Sequence, residues 1–108
     1  AASSDGAFLF VVDQQSNQVS QLKIAGGSGV LSANAPATIS TGLNPAWAAV
    51  RKGVTTVTAT GGTTDYLYVA NLGASTVSVF SFDSTKGVLS VDGQSVSTGG
   101  QPAAVAAE

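Results

Sequence analysis

The segment YLYVAN, at residues 66–71, gives the clearest indication of the fold. A variant of it, FLFVVD, stands 58 positions earlier, at residues 8–13. Both stretches are nearly continuous apolar runs, which is typical of β-strands covered on both faces. Because a repeat at a fixed spacing indicates stacked copies of one unit, we expect two copies of such a unit in this chain.

The repeat continues on the C-terminal side of both stretches. The matching segments are VSQL (19–22) with VSVF (77–80), GVLS (29–32) with GVLS (87–90), STG (40–42) with STG (97–99) after a one-residue deletion, and PA (45–46) with PA (102–103). A chance match would not keep aromatic, glycine and proline positions aligned over so long a stretch. The sequence therefore predicts a duplication.

Each copy is predicted to contain short strands separated by turns, and no helix is needed. The predicted strands are residues 7–12, 18–24, 45–50, 66–70, 76–82 and 102–107, with a shorter strand after each of the hairpin loops 25–29 and 83–87. Glycine ends both hairpin loops, where a positive φ is easily adopted. The strands that open at Pro45 and Pro102 consist mainly of small residues, which suit a crowded axis.

The composition excludes most familiar chemistries. The 108 residues include no Cys, His or Met, so thiolate and imidazole metal sites and the Ser-His-Asp triad are ruled out, and neither a metal nor a cofactor is expected. Charged residues make up 9% of the chain and its net charge is -2, so it lacks the excess of positive charge that binds nucleic acid phosphates. No run approaches the roughly 20 apolar residues of a membrane span. This cysteine-free composition suits a secreted, cell-surface or periplasmic bacterial protein.

Four short strands per copy, with the smallest residues on one of them, are the pattern of a blade in an all-β fold, the β-propeller. We expect a single propeller segment over residues 1–108, made of about two four-stranded antiparallel blades. Its predicted parts are residues 1–44 (the outer three strands of a first blade), 45–99 (a second blade with an insertion at 51–64) and 100–108 (the inner strand of a following blade).

Two blades cannot close a ring, because propellers need about four to eight. The segment is therefore expected to be part of a larger ring or of a ring completed by an oligomer. The neighbouring blades come either from a longer parent chain or from other copies of this chain, as a homo-oligomer.

The second copy resembles the YVTN repeat of lactonase-like β-propellers. The resemblance is carried by YLYVAN (66–71), VSVF (77–80), GVL (87–89) and TGGQP (98–102). The first copy is a looser match, although SDG at residues 4–6 resembles the Pro-Asp-Gly turn that commonly precedes this strand in the family. The two copies together cover the chain except residues 51–64, and the resemblance specifies a fold far better than a function.

If the blades sit as in that family, two clusters of loop residues face a ligand. The candidate ligand-binding residues are Asp13, Asn17, Asn44, Trp47, Asn71 and Gln101. Trp47 stands where the other copy has Ala104, and it either fills core space or lines the channel mouth and stacks on a sugar. No catalytic residue is predicted, because the carboxylates form no recognisable pair and several of them lie in turn sequences.

The insertion at residues 51–64 is Thr-rich and has two interpretations. It forms either a protruding hairpin or loose loop, or an accessory strand that adds to the sheet edge of a partner chain.

The sequence thus predicts a non-enzymatic propeller module that acts as a scaffold or as a binding surface for protein or carbohydrate in an extracytoplasmic bacterial protein. The resemblance also implies an alternative, a fragment of a lactonase-like hydrolase acting on sugar lactones. Because fold alone does not establish function, both remain open at this point.

Overall fold

A computed structural model describes residues 1–53, 62–93 and 95–106, which contain eight β-strands and no helix. The strands are β1 (Phe8–Asp13), β2 (Gln18–Ile24), β3 (Leu31–Ser40), β4 (Pro45–Arg51), β5 (Thr64–Asn71), β6 (Thr76–Asp83), β7 (Leu89–Val91) and β8 (Val96–Ser97). β-branched and aromatic residues in β1, β2, β5 and β6 favour the extended backbone, and turn residues separate the strands.

The strands form two open antiparallel sheets, one from each copy of the repeat. Sheet A has the order β1-β2-β3, and sheet B has the order β4-β5-β6-β7 with β8 also paired to β6. The prediction of an all-β fold is confirmed. Neither sheet closes on itself in the described part of the chain, so the propeller ring stays a prediction.

The duplication is visible in the strand register. Phe8 pairs with Lys23 in sheet A, and 58 positions later Tyr66 pairs with Ser81 in sheet B. The positive backbone angles repeat as well, because Gly29 (φ 71°) in the first hairpin loop corresponds to Gly87 (φ 65°) in the second. Local sequence therefore builds the same strand–turn unit twice.

Three details differ from the predicted strands. The fourth strand of the second copy is split into β7 and β8, since a turn with Gly93 at φ 76° interrupts it, and sheet B has five strands instead of four. The third strand of the first copy is not short, because β3 runs for 10 residues and pairs with β2 across a register shift between Ser20 and Leu22. Residues 102–106 form no strand, and their placement in a following blade stays a prediction. Most of the insertion, residues 54–61, lies outside the described residues.

The two sheets pack face to face around one hydrophobic core. Alternation along the strands places one set of side chains of each sheet in this interface. The buried apolar residues are Phe8, Phe10 and Val19 of sheet A and Leu67, Val69, Phe80, Phe82 and Leu89 of sheet B. The rings of Phe10 and Phe82 lie 4.9 Å apart between centroids and are tilted by 57°, a favourable arrangement for aromatic pairs.

Two buried amide side chains join the sheets by hydrogen bonds. The Oε1 atom of Gln21 accepts a hydrogen bond of 2.6 Å from the Leu89 N–H, and its Nε2 atom donates one of 3.2 Å to the Pro36 carbonyl. The Nδ2 atom of Asn34 donates a bond of 3.0 Å to the Lys86 carbonyl. These bonds set the position of β2 and β3 against the start of β7.

We predict that Gln21→Leu lowers the free energy of unfolding by about 2 kcal/mol, because the buried Leu89 N–H then has no acceptor. Urea unfolding followed by circular dichroism measures the change. The matched control is Gln18→Leu in the same strand, whose half-buried side chain makes only a 3.4 Å bond to Asp13. A Gln21→Leu protein as stable as the control would contradict the prediction.

Candidate functional site

Four loops lie together at one end of the two sheets, and we call residues 14–17, 41–44, 72–75 and 98–101 the loop end. The strand register places them there, because Asp13, Gln18 and Ser40 are neighbours across sheet A, and Pro45, Asn71 and Thr76 are neighbours across sheet B. All six predicted ligand-binding residues lie in the loop end or at the adjacent ends of the strands. The structure therefore groups them at one end of the fold.

Asn17 and Asn44 are in direct contact. The Oδ1 atom of Asn17 accepts a 2.7 Å hydrogen bond from the backbone N–H of Asn44, whose carbonyl in turn accepts a 2.9 Å bond from Leu72. Both asparagines have positive φ angles, 55° and 53°, a conformation that asparagine tolerates better than most residues. The pair thereby links the first turn of sheet A to the β5–β6 turn of sheet B.

The same construction recurs at the equivalent positions of the second copy. Ser75 (φ 52°) replaces Asn17, and Gln101 (φ 51°) replaces Asn44. The Oγ atom of Ser75 accepts a 3.3 Å bond from the Gln101 N–H, and its carbonyl accepts a 2.9 Å bond from Thr98. The Gln101 side chain is exposed.

Asp13 and Asn71 also occupy equivalent positions, at the ends of β1 and β5. Asp13 accepts hydrogen bonds from Gln18 Nε2 (3.4 Å) and Ser20 Oγ (2.5 Å). Asn71 donates from Nδ2 to Thr76 Oγ1 (3.1 Å) and Ser78 Oγ (2.7 Å). Both side chains thus brace the turn to the next strand, which is a structural role that each copy repeats.

The accessibility of the two side chains differs sharply. Asp13 is half-buried, whereas Asn71 is fully buried and has an Oδ1 atom with no hydrogen-bond partner. A Cβ atom built on Gly42 would lie 2.8 Å from the Asn71 amide, which explains why a residue without a side chain stands there. Asn71 is therefore screened from any ligand at the loop end in this structure, and its ligand-binding role stays a prediction.

Trp47 is 54% exposed on β4, beside the loop end. Its side chain does not pack in the core formed by the described residues. Of the two interpretations of Trp47, the one that places it in the core is therefore wrong. Its cross-strand partner is Ala70, and Tyr68 lies diagonally on the same face of sheet B. The indole thus offers an accessible aromatic surface.

A cavity of about 260 Å³ opens between the sheets next to the loop end. It is lined by Ser40, Thr41, Gly42, Ser78, Val79, Phe80, Val91, Gly93 and Ser95. The lining combines hydroxyl side chains with the apolar side chains of Val79, Phe80 and Val91, and none of these described residues is ionisable. The volume is smaller than the roughly 300–1,000 Å³ of typical small-molecule sites.

A second polar group lies at the opposite end of the sheets and was not predicted from the sequence. Asp65 is 1% exposed, and its Oδ1 atom accepts hydrogen bonds from the Gly53 N–H (2.9 Å) and Thr63 Oγ1 (2.6 Å), while its Oδ2 atom has no hydrogen-bond partner among the described residues. The signal was present in the alternation of β5, since Asp65 shares the face of the buried Leu67 and Val69.

Asp65 lines a cavity of about 170 Å³ together with Ser4, Asp5, Lys52, Gly62, Thr63 and Ser84. Partial burial acts to raise the pKa of Asp5, but hydrogen bonds from Ser3 Oγ and the Ala7 N–H and the charge of Lys52 outweigh it, so this pKa lies below its ordinary value of 3.8. The cavity thus holds an anionic Asp5 beside a cationic Lys52.

Within residues 1–53, 62–93 and 95–106, no three His, Cys, Asp or Glu side chains form a group that could hold a metal ion. The same residues include no helix long and apolar enough to cross a membrane.

The geometry defines an all-β protein of two stacked antiparallel sheets with a polar loop end that is built twice from one repeat. No family model matches the chain, and no curated protein matches it. The likeness to the YVTN repeat therefore stands on the residues of the chain alone.

We predict that Asn17→Ala lowers the free energy of unfolding by about 2 kcal/mol, because it removes the bond to the Asn44 N–H and places alanine at a positive φ. Asn17→Gly is the matched variant, since it loses the bond but tolerates the backbone angle, and about 1 kcal/mol is expected for it. Thermal unfolding of both proteins measures the two contributions. Equal stabilities for the two variants would show that the positive φ carries no cost.

Proposed function

We propose that this chain is a non-enzymatic β-propeller repeat module of the YVTN type, which serves as a scaffold or binding surface in an extracytoplasmic bacterial protein. The observation that carries the proposal is that the two repeat-equivalent sheets pack against each other and use opposite faces to do so. Sheet A contributes Phe8 and Phe10 to the interface, whereas sheet B contributes Leu67 and Val69, which correspond to Leu9 and Val11 of sheet A. In radially stacked blades, the front face of one blade likewise packs against the back face of the next.

The absence of histidine and cysteine and the composition of the loop end support a non-enzymatic role. The loop-end cavity is lined by hydroxyl and apolar side chains, and the Asp13 carboxylate nearby accepts hydrogen bonds from Gln18 and Ser20. Such groups bind and orient polar ligands, but they supply no base for hydrolysis. The low charge, together with the lack of cysteine, supports the extracytoplasmic location.

The lactonase alternative depends on Asp65, a buried carboxylate that lines the opposite cavity and whose Oδ2 atom has no hydrogen-bond partner among the described residues. A carboxylate in such a cavity acts as a general base toward water if a lactone carbonyl fits beside it. The volume of about 170 Å³ and the neighbouring anionic Asp5 disfavour this role.

Hydrolysis of gluconolactone, followed by pH-stat titration, decides between the two functions. We expect the wild-type chain and Asp65→Asn to hydrolyse the lactone at the same rate as buffer. A wild-type rate above buffer that Asp65→Asn abolishes, while the variant keeps its circular dichroism spectrum, would overturn the non-enzymatic proposal.

A binding surface for carbohydrate would use Trp47, because exposed aromatic rings stack on the apolar faces of sugars and this indole is 54% exposed beside the loop end. Calorimetric titration with soluble oligosaccharides tests this part of the proposal. The matched control for Trp47→Ala is Leu43→Ala, since Leu43 is 61% exposed in the loop end. Sugar binding that survives Trp47→Ala would assign the site elsewhere, and no heat with any sugar would leave protein as the bound class.

A further inference from the structure

Each sheet has an outer face that no other sheet covers in the described part of the chain. We define the A-outer face by residues Leu9, Val11, Leu22, Ile24 and Leu31, and the B-outer face by residues Tyr66, Tyr68, Val77 and Val79. These nine side chains are uncharged and almost entirely apolar. Val11 is 39% exposed and Leu31 is 49% exposed, and the others are half-buried. The same side of sheet B also carries Trp47, opposite Ala70, and the exposed Arg51, opposite Tyr66.

The repeat relates the A-outer face to residues that are already buried. Moved by 58 positions, its five members become Leu67, Val69, Phe80, Phe82 and Leu89, which form the sheet B side of the core. The exposed fraction falls from 39% at Val11 to 0% at Val69, and from 49% at Leu31 to 4% at Leu89. The chemistry is the same, and the difference is the presence of a facing sheet.

The repeat also relates the B-outer face to residues that are already buried. Moved back by 58 positions, its four members become Phe8, Phe10, Val19 and Gln21, all of which are buried on the sheet A side of the core. The interface inside the chain therefore joins one kind of face to the other. Within the residues that the structure describes, each chain leaves one face of each kind without a facing sheet.

We propose that the B-outer face of one chain binds the A-outer face of a second copy, in the arrangement that already joins sheet A to sheet B. This inference rests on the proposed repeat-module function and names its partner. The contact is heterologous, because different surfaces of the two copies meet. It leads to a ring if the rotation closes, and with about four to eight blades per ring this takes two to four copies.

Particular contacts follow from the repeat. Tyr68 takes the place of Phe10 and meets Ile24 of the second copy, which takes the place of Phe82. Tyr66 takes the place of Phe8, which packs against Gly87, and so it meets Gly29 of the second copy. A Cβ atom built on Gly29 meets no described atom within 4 Å, so the space for this ring is open.

The contact between copies is expected to be weaker than the contact inside the chain. Gln21, which accepts the Leu89 N–H, is replaced by Val79, and Asn34, which donates to the Lys86 carbonyl, is replaced by Asp92. Since neither replacement makes the corresponding hydrogen bond, apolar burial alone holds the copies together. Association should therefore depend on protein concentration.

Sedimentation velocity of the wild-type chain over a range of concentrations is the first test, and we expect particles of two to four copies to appear as the concentration rises. Val11→Lys blocks the A-outer face and Val79→Lys blocks the B-outer face, since each places a charge in an apolar contact. Each variant alone is expected to raise the dissociation constant by about tenfold or more, the effect of about 1.4 kcal/mol. Circular dichroism and thermal unfolding confirm that the variants are folded.

A mixture of the two variants is the decisive experiment, because the Val11→Lys chain keeps its B-outer face and the Val79→Lys chain keeps its A-outer face. A 1:1 mixture is expected to give a dimer of one Val11→Lys chain and one Val79→Lys chain, and nothing larger. Leu43→Lys is the control, since it places a lysine at an exposed apolar residue (61%) outside both faces, and it should associate as the wild type does. Gly29→Ala is a milder variant on the A-outer side, and it should weaken association without adding a charge.

Two results would overturn the proposal. A wild-type chain that sediments as a single copy at every concentration would exclude a second copy as the partner and leave blades of a longer chain to cover these faces. Association that survives both lysine variants would place the contact elsewhere. Either result leaves the non-enzymatic function intact, since that function depends on the lactone assay.

Discussion

Gly87→Ala is expected to lower the free energy of unfolding by about 2–5 kcal/mol and to disturb the packing of the two sheets. Gly87 has φ 65°, where an alanine side chain costs about 1–2 kcal/mol. A Cβ atom at this position would also overlap the ring of Phe8, which is 6% exposed in the core. Because a well-packed interface resists added atoms, this overlap adds about 1–3 kcal/mol.

Gly29→Ala is the matched control for this prediction. Gly29 is the repeat-equivalent residue, with φ 71°, but no described atom lies within 4 Å of its Cβ position. We expect a loss of only about 1–2 kcal/mol, measured by urea unfolding at concentrations where single copies sediment. Equal losses for the two glycine variants would show that Phe8 does not pack against the second hairpin loop.

Phe10→Ala is expected to lower the free energy of unfolding by about 3–5 kcal/mol. The Phe10 side chain is 1% exposed and its ring contacts Phe82 across the interface, so its removal leaves a cavity at the centre of the core. This is a large part of the roughly 5–15 kcal/mol that stabilises a typical domain. We expect the variant to unfold below room temperature or to lose a cooperative thermal transition in calorimetry.

Tyr68→Ala is the control for Phe10→Ala, because Tyr68 occupies the same position in the second copy. It is half-buried on the B-outer face, and single copies should lose only about 1–2 kcal/mol. At concentrations where copies associate, the loss at Tyr68 should increase. A Tyr68→Ala protein as unstable as Phe10→Ala in single copies would show that something inside the chain already covers this face.

Several features of the fold were predictable because they depend on local sequence. The strand pairs β1-β2 and β5-β6, the hairpin loops that end at Gly29 and Gly87, and the start of β4 at Pro45 all follow from residue type and spacing. Turn residues and strand alternation act within a few positions, so they operate in the same way in both copies.

The candidate site was predictable in part. That Asn17 and Asn44 lie at one end of the fold was expected from the propeller resemblance, whereas the hydrogen bond from the Asn44 N–H to Asn17 Oδ1, which joins the two predicted clusters, was not predicted. Alternation in β5 places Asp65 and Asn71 on the same face as Leu67 and Val69, but that this face is the buried one was not predictable, because its burial needs the second sheet. The exposure of Trp47 likewise depends on what covers sheet B.

The repeated strand–turn unit, its register and its all-β character follow from the amino-acid sequence, since they result from interactions between neighbours in the chain or across one hairpin. Which face of each unit is buried depends on how the two sheets pack. Both faces of both copies are apolar, so Val11 and Val69, or Phe10 and Tyr68, carry the same local signal. Burial requires a partner on the other side, and in the described part of the chain each sheet has one neighbouring sheet, so one face of each is covered and the other is not.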